Sequence, residues 1–343
     1  MNEIIHTETN LVEDEKDLAL RPKTLADFLG QDSMKANLSV FIKAAKERAE
    51  SLDHLFLTGP PGLGKTTLAH ITANEMGVDF IETSAPALDK PKDLVGILTN
   101  LSAHAVFFID EIHRLKPAIE EMLYIAMEDY ELDWVVGSGP SARTMRLPIK
   151  PFTLVGATTK AGAVSGPLIS RFGISLRFSL YESADIEAII RRSAGIMGVR
   201  IDDDAAALLS RCSRFTPRVT NRLLRRMRDF AQVERLPSIT EPLVRASLKK
   251  LEIDDLGLER LDREILEMII RRYGGGPVGA ETLAVSVGES VDTLEDFYEP
   301  YLMQAGLMQR TTRGRMVTEL SYKHLGLESY NLSSASKRQD SLF

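Results

Sequence analysis

The sequence predicts three folded regions in a chain of 343 residues: an α/β domain with a parallel sheet, a small all-helical domain, and a C-terminal winged-helix domain. Short apolar runs separated by helical stretches predict the first, because buried parallel strands have this pattern. Helical periodicity without strand signals predicts the second. A helix, a Gly-rich turn, two further helical segments and a two-strand loop predict the third.

The apolar runs expected to form the parallel sheet lie in the first part of the chain. They are HLFLT, DFIETS, AVFFID, FTLVGAT and ISLRFSL. We expect residues 1–181 to form the α/β domain, 182–254 the helical domain and 255–330 the winged-helix domain. Polar, aperiodic sequence at both ends predicts disordered tails at 1–19 and 331–343.

Charge and cysteine content restrict the possible functions. The chain has 42 Lys and Arg against 49 Asp and Glu, a formal net charge of −7, so its overall field repels nucleic acid and DNA contact requires a local basic patch. Cys212 is the single cysteine, which excludes an internal disulfide framework and is typical of a cytoplasmic protein. An acidic N-terminus and the lack of a long apolar run lead us to expect neither export nor membrane spanning. The six His residues show no metal-ligand spacing.

The most specific motif is GPPGLGKTT, residues 59–67, which matches the phosphate-loop pattern G-x-x-x-x-G-K-[ST]. It follows an apolar run and opens a helical stretch, which is the context that this motif requires. The glycines allow backbone N–H groups to surround phosphates, and the helix N-terminus favours an anion. We expect Lys65 to neutralise the phosphate oxygens of ATP and Thr66 to bind Mg²⁺.

Two carboxylates end the run AVFFIDEIH, where the second half of an ATPase site should lie. Asp110 is expected to hold Mg²⁺ and Glu111 to orient and polarise the attacking water. Without the phosphate loop, a solvated acidic turn would explain the pair equally well. The next run ends in Thr158 and Thr159, either of which could sense the γ-phosphate or serve as a turn residue. Of the two we select Thr158.

Two arginines are candidates for catalysis. Arg171, just before the last predicted strand, could act as an arginine finger on the nucleotide of a neighbouring subunit, although a lone Arg is usually a surface residue. Arg218 directly follows Pro217 at a predicted helix start, near which an anionic phosphate is favoured. It belongs to a run of seven arginines in residues 211–228, most of which we interpret as a solvated helix face or a subunit interface.

Several motifs, taken in order, resemble the bacterial RuvB family of AAA+ motors, which drive branch migration of Holliday junctions. They are LRPKTLADFLGQ, GPPGLGKTT, FIDEIHRL, MEDY, GATTKAGAVSGPLISRFG, TPRVTNRLLRR, GGGPVGAETLA, YEPYLMQAGLMQRTTRGR and YKHLGL. The resemblance extends from about residue 20 to residue 327. The phosphate-loop and carboxylate motifs alone would identify only a broad ATPase class, whereas the C-terminal motifs are far more specific.

The resemblance implies further site residues. It places Leu20 and Arg21 beside the adenine and Tyr181 near the base. It makes Arg171 the finger and Arg218 the second sensor. It assigns the binding of phosphates and Mg²⁺ to Gly62, Lys65, Thr66 and Thr67. It places Glu128, Asp129 and Tyr130 at the nucleotide site.

The resemblance also implies partners and a biological role. The family works as a homohexameric ring on duplex DNA, with two rings flanking a RuvA-bound Holliday junction, in DNA recombination and repair. The RuvC resolvase is a further candidate partner. Phe215, before TPR, and Ala85, in TSAPALDKP, depart from the small residue and the Gly that we would expect there. These departures put local loop geometry in doubt.

A predicted hairpin, ELDWVVGSGPSARTMRLPI, lies between the carboxylate motif and the next core strand. Its apolar residues Trp134, Val135 and Val136 have no obvious place in the main sheet. They either pack on the ATPase domain or form an exposed ridge for RuvA, and the family resemblance favours the ridge.

The predicted winged helix departs from ordinary base recognition. Its third helical segment carries only acidic charges, at Asp292, Glu295, Asp296 and Glu299, which would repel phosphates. We therefore expect the wing to contact DNA, through Arg310 and Arg315 on its two strands. The resemblance places DNA contact at the same two residues. The alternative is a solvated turn whose arginines only aid solubility.

Two other functions remain open on the sequence alone. One is an ATP-switched, clamp-loader-like protein that lacks a DNA-contacting winged domain or uses it differently. The other is an ATP-gated transcription regulator, against which the acidic third helix argues.

Overall fold

The computed structural model describes residues 19–136 and 143–327. The predicted tails lie outside these residues, apart from residue 19. The chain divides into two compact units: the first comprises the chain up to Ile201 together with Phe215–Arg225, and the second comprises Asp202–Arg214 together with the chain from Arg226 onward. None of the helices in the described ranges is long and apolar enough to cross a membrane.

A five-stranded parallel sheet forms the centre of the first unit, and each of the five predicted apolar runs contains one of its strands. In sheet order the strands are β2, β3, β6, β1 and β7. Their bounds are Leu55–Thr58 for β1, Phe80–Ser84 for β2, Val106–Asp110 for β3, Thr153–Thr158 for β6 and Ile174–Arg177 for β7. The predicted parallel-sheet fold is therefore confirmed.

The strand register brings the carboxyl ends of β1, β3 and β6 to one edge of the sheet. Thr58 pairs with Thr158, and Ile109 pairs with Gly156. The phosphate loop directly follows β1, and the carboxylate pair and the threonine pair each begin at the last residue of β3 and β6. Ligands of open α/β sheets bind at this edge, so the fold itself gathers the predicted site.

β6 lies in the centre of the sheet and is buried along its whole length, as is typical of a strand in a parallel sheet with helices on both faces. The helices of this unit are Asp32–Arg48, Lys65–Met76, Pro91–Leu98, Pro117–Asp129, Gly166–Ile169 and Ser183–Ile196, and Pro217–Val233 begins in it. Proline at the first position of Pro91–Leu98 and Pro117–Asp129 favours a helix start, because its missing N–H would have no partner there.

A buried histidine joins the helical layer to the sheet. His54 Nδ1 accepts the Leu154 N–H at 2.8 Å, and its Nε2 lies 3.2 Å from the Met127 carbonyl oxygen, to which it donates. Both bonds together require the neutral ring. Burial lowers the pKa of His54 further below its usual value.

The predicted hairpin is present as a separate two-stranded sheet of β4, Glu131–Val136, and β5, Arg143–Pro148. Trp134 pairs with Met145 across it. Trp134 is partly buried. The side chains of Val135 and Val136, two of the three residues of the predicted RuvA ridge, lie outside the described residues.

The second unit contains helical segments followed by a wing, as the sequence predicts for a winged helix. The helices are Asp203–Cys212, Glu241–Lys250, Arg260–Tyr273, Ala280–Val287, Val291–Thr293, a π-helical turn Leu294–Tyr298, Glu299–Gln304 and Glu319–His324. The wing pairs β8, Met308–Thr311, with β9, Gly314–Val317, in antiparallel fashion. The N–H of Arg315 on β9 also donates to the Val278 carbonyl oxygen at 2.8 Å.

A buried arginine ties the helical segment to the winged helix inside this unit. Arg214 donates through Nε to the Gly257 carbonyl oxygen at 3.0 Å and through Nη2 to Asp262 Oδ2 at 2.5 Å. Its guanidinium also lies 5.1 Å from the Tyr301 ring centroid. Gly257 is required because a Cβ there would come within 2.2 Å of the Cys212 carbonyl oxygen.

The two departures from the family pattern differ in their local cost. Phe215 has φ of 52°, a left-handed conformation that is unfavourable for a residue with a bulky side chain. Ala85 is buried and begins a 3₁₀ turn after the extended Ser84, without positive φ. Alanine therefore fits that position without backbone strain.

Candidate active site

The phosphate loop adopts a backbone that its glycines permit. Gly59, Gly62 and Gly64 have φ of 141°, 79° and 100°. A Cβ on Gly62 would lie 3.0 Å from Arg218 Cβ, and one on Gly64 would lie 3.2 Å from the Phe28 ring. The helix Lys65–Met76 starts directly after this loop without a side-chain cap. Its first N–H groups are thus available to an anion.

Lys65 is buried at the base of the loop. Its Nζ donates to the carbonyl oxygens of Gly59 at 2.8 Å and Pro60 at 2.9 Å. Burial lowers the pKa of this ammonium, while the charges of Glu111 and Asp110 oppose that shift. A desolvated cation beside free helix N–H groups is suited to bind phosphate oxygens.

These groups line a cavity of about 210 Å³ within the first unit. Of the residues predicted to form the site, those that line it are Leu20, Arg21, Gly62, Lys65, Thr66, Thr67, Asp110, Glu111, Tyr181 and Arg218. The fold thus gathers residues that are up to 198 positions apart in the chain into one concave surface.

Tyr181 and Arg218 are hydrogen-bonded to the phosphate loop, although both lie more than 100 residues after it in the sequence. The Tyr181 hydroxyl donates to the Leu63 carbonyl oxygen at 3.2 Å, and burial raises the pKa of this phenol. The Arg218 N–H donates to the Gly62 carbonyl oxygen at 3.3 Å. Movement of either residue would therefore disturb the loop directly.

Several residues that line the cavity were not predicted from the sequence, among them Arg192, Ser193 and Asn221. Arg192 Nη1 donates to the Leu20 carbonyl oxygen at 2.9 Å, and Ser193 Oγ donates to Asn221 Oδ1 at 2.9 Å. Helical spacing carried a weak signal, because Asn221 lies three residues after Arg218 and therefore shares its helix face.

The acidic pair at the end of β3 has two different environments. Asp110 Oδ1 accepts the Glu111 N–H at 2.9 Å, and burial raises the pKa of the Asp110 carboxyl. Glu111 has φ of 50° and accepts a hydrogen bond on Oε2 from Thr159 Oγ1 at 3.2 Å. Thr66 and Asp110 both offer oxygen atoms to the cavity, and a hydroxyl with a carboxylate is a donor set that fits Mg²⁺.

Thr158, the predicted γ-phosphate sensor, does not line the cavity. Thr158 is fully buried, and its Oγ1 is 2.9 Å from His113 Nδ1. Thr159, the next residue, lines the cavity instead. Thr158 is the last residue of β6 and Thr159 lies beyond the strand, and their side chains have different surroundings.

A second group of predicted site residues lies apart from the cavity lining. Arg171 Nε lies 3.2 Å from Glu128 Oε1, and its Nη1 donates to the Pro167 carbonyl oxygen at 2.8 Å. The guanidinium carbon of Arg171 lies 4.7 Å from the centroid of the Tyr124 ring. Glu128 and Asp129 are exposed at the end of the helix Pro117–Asp129, and Tyr130 follows them. Among the described residues that line the cavity, none of these four appears.

The two wing arginines differ sharply in exposure. Arg310 is half exposed and donates to Glu295 Oε1 at 2.7 Å. Arg315 is buried, and its Nε donates to Glu299 Oε1 at 2.7 Å, while its Nη2 bonds to Glu295. Two carboxylates of the acidic third helix are therefore internal partners of the wing. Arg313, at the turn, is exposed.

A glycine-rich loop after a parallel strand, a buried lysine, and an acidic pair at the end of a neighbouring strand define a P-loop ATPase of the AAA+ class. Three family models match the chain in succession. They are described as the Holliday junction DNA helicase RuvB P-loop domain over residues 20–178, the RuvB AAA lid domain over 181–254, and the RuvB C-terminal winged helix domain over 255–326. The chain belongs to the RuvB family.

Individual relatives cover almost the whole chain. The Holliday junction branch migration complex subunit RuvB of Treponema denticola is 69% identical over 330 residues, which are 96% of this chain and 95% of the relative. The protein of the same name from Borreliella burgdorferi is 58% identical over 319 residues, 93% of this chain and 92% of the relative.

Solved structures agree with these relatives. A structure of the Thermotoga maritima RuvB Holliday junction branch migration motor is 49% identical in sequence to this chain, with a TM-score of 0.83. The match covers 90% of this chain and 99% of the Thermotoga maritima chain. The combined matches favour this family over the clamp-loader-like and regulatory alternatives.

Proposed function

We propose that this chain is the ATP-driven motor subunit of a Holliday junction branch migration complex, acting in DNA recombination and repair in the cytoplasm. This proposal is supported chiefly by one cavity, which is lined by the phosphate loop, Lys65 and Glu111, in a chain that belongs to the RuvB family. The reaction is hydrolysis of ATP to ADP and phosphate. Branch migration is proposed as the work driven by this hydrolysis because the relatives are named as subunits of a branch migration complex.

Each cavity residue has a role that follows from its chemistry. Lys65 and the N–H groups of the phosphate loop bind the phosphates, and Arg218 adds a second positive charge. Thr66 and Asp110 would hold Mg²⁺, which would neutralise charge on the phosphates. Glu111 accepts a proton from the attacking water. Thr159, rather than Thr158, is in a position to detect the γ-phosphate.

We further propose that the working form is a homohexamer in which Arg171 completes the site of a neighbouring copy. The support is that Arg171, Glu128, Asp129 and Tyr130 lie together, outside the cavity of their own chain. An arginine supplied in trans stabilises charge in the transition state and accelerates phosphoryl transfer by on the order of 10³- to 10⁵-fold.

The wing is the proposed contact to duplex DNA. Arg310 is exposed enough to reach phosphates, and Arg313 is exposed beside it. The sequence analysis proposed Arg310 and Arg315 together. The burial of Arg315 instead favours a role in holding the wing on the third helix. RuvA is the proposed partner of the β4–β5 hairpin, and RuvC is a further candidate partner.

The decisive test of this function uses a synthetic four-way junction. Wild-type protein with ATP, Mg²⁺ and a RuvA-type partner should dissociate the junction, and Lys65→Ala should fail to turn over ATP. Glu111→Gln should bind ATP but hydrolyse it at least a hundredfold more slowly, because the general base is lost. Full ATPase activity in either variant would overturn the assignment of the cavity.

A further inference from the structure

A histidine stands behind the proposed general base, outside the cavity lining. His113 lies in the short turn Ile112–Arg114 that follows Glu111, and its side chain is mostly buried. Its Nδ1 is 3.1 Å from Glu111 Oε2 and 2.9 Å from Thr158 Oγ1. One ring nitrogen is thus within hydrogen-bonding distance of a catalytic carboxylate and of a strand hydroxyl.

The two hydrogen bonds require opposite roles of Nδ1, which donates in one and accepts in the other. In a neutral imidazole, each ring nitrogen either carries a proton and donates, or presents a lone pair and accepts. The Glu111 carboxylate can only accept, so it bonds to His113 only when Nδ1 carries the proton. The Thr158 hydroxyl can donate to the same nitrogen when Nδ1 presents its lone pair.

When Nδ1 accepts from Thr158, its lone pair faces a negatively charged carboxylate, and the bond to Glu111 is lost. The Lys160 N–H already donates to Thr158 Oγ1 at 2.9 Å, so the hydroxyl proton is free to point towards His113. The two arrangements are the two neutral tautomers of His113, with the ring proton on Nδ1 in the first and on Nε2 in the second, and they correspond to a Glu111 side chain that is held and one that is released.

We propose that His113 is a positioning residue for Glu111, holding its carboxylate for catalysis when Nδ1 donates and releasing it when Nδ1 accepts from the Thr158 hydroxyl. This inference rests on the proposed function, in which Glu111 is the general base. His113 is not among the residues that line the cavity, and it acts through the orientation of Glu111.

The placement of the threonines connects this arrangement to the cavity. Thr159 Oγ1 donates to the same Glu111 Oε2 that faces His113. Thr158 and Thr159 are consecutive at the end of β6, so one displacement of this strand end changes both contacts together. Thr159 lines the cavity, and Thr158 faces the histidine. A phosphate that moves Thr159 thereby changes which bond His113 makes.

Three substitutions separate this hydrogen bond from simple packing. His113→Asn retains a polar atom at the position of Nδ1, whereas His113→Gln places its polar atoms near the position of Nε2. His113→Phe retains a ring of similar size but has no hydrogen-bonding atom. A packing role would be preserved best by Phe and worst by Asn, which is the reverse of the order expected here.

We expect kcat for ATP hydrolysis to fall roughly tenfold to hundredfold in the Gln and Phe variants, as for other groups that orient a catalytic ligand. The Asn variant should stay within about threefold of wild type, since the bond to Glu111 is kept. The dissociation constant of ADP, measured by calorimetric titration, should change less than about twofold in all three, because His113 is not among the residues that line the cavity.

The inference is overturned if the Phe variant is as active as wild type, if Asn and Gln lose activity equally, or if kcat rises in any of them. Should the Phe variant fail to fold, the comparison of Asn with Gln decides alone. Glu111→Gln, measured in parallel, separates the two proposals. Full ATP turnover by Glu111→Gln would contradict the assignment of Glu111 as the general base. A large loss of turnover in Glu111→Gln, together with wild-type activity in all three His113 variants, would contradict only the role proposed for His113.

Discussion

Replacing Arg315 should destabilise the winged-helix region far more than replacing Arg310. Arg315 and Glu299 form a buried pair, with side-chain exposures of 7% and 1%. Removal of one partner from such a pair costs about 3–5 kcal/mol, because the remaining charge stays buried without compensation. Arg310, at 52% exposure, takes part in a surface pair worth roughly 0–1 kcal/mol.

These energies convert into large thermal shifts. For a domain of 60–100 residues, 1 kcal/mol changes the melting temperature by about 4–8 °C, so Arg315→Ala should lower the melting of this region by roughly 12 to 40 °C. Arg310→Ala should lower it by less than about 8 °C. Amide exchange within residues 308–317 should accelerate by about two to four powers of ten in Arg315→Ala, if exchange occurs through unfolding of this region.

The assay is hydrogen exchange of the full-length chain followed by mass spectrometry, with calorimetry in parallel. A double variant, Arg315→Met with Glu299→Leu, is the matched control, since an apolar pair of similar volume replaces a buried ion pair at little cost or with a gain. Equal effects of Arg315→Ala and Arg310→Ala, or unchanged exchange in Arg315→Ala, would refute the reasoning from burial.

Three further predictions concern the motor and its stability. Arg310→Ala should weaken binding to duplexes of any sequence equally and flatten the salt dependence of log K by about 0.9, in a fluorescence titration; a sequence-selective loss would contradict phosphate contact. Mixtures of Arg171→Ala and Lys65→Ala subunits should recover part of the ATPase rate, whereas no rescue at any ratio would contradict action in trans. Burial lowers the pKa of His54 in the folded state. Its contribution to stability is therefore present above the unfolded pKa of about 6.5 and is lost as pH falls through the folded pKa. In that range the free energy of unfolding should change by up to about 1.4 kcal/mol per pH unit. Denaturant unfolding of His54→Asn should lack that slope, and identical pH profiles for variant and wild type would contradict it.

The predicted site residues that the structure brings together in one cavity include those encoded by local pattern. The phosphate loop, Lys65, Asp110 and Glu111 each follow a buried strand within a few residues. Because the carboxyl ends of neighbouring parallel strands share one edge of the sheet, prediction of the strands is enough to predict that these residues lie close together.

The sequence does not show the placement of a residue where a side chain's direction or a distant partner decides it. Thr158 and Thr159 have the same local context, and only the tertiary structure shows which one lines the cavity. Arg315 looks exposed in a basic wing sequence, but its partner Glu299 lies 16 residues earlier on a helix. Arg192 carries no motif and joins the site only through tertiary packing.

The most direct test of the central proposal is dissociation of a four-way junction under single-turnover conditions, with wild-type protein, a RuvA-type partner and Mg²⁺. We predict that the arms separate with ATP, and that neither ADP nor the Lys65→Ala variant with ATP supports separation. Equal separation with ADP, or by the variant that cannot turn over ATP, would contradict an ATP-driven motor.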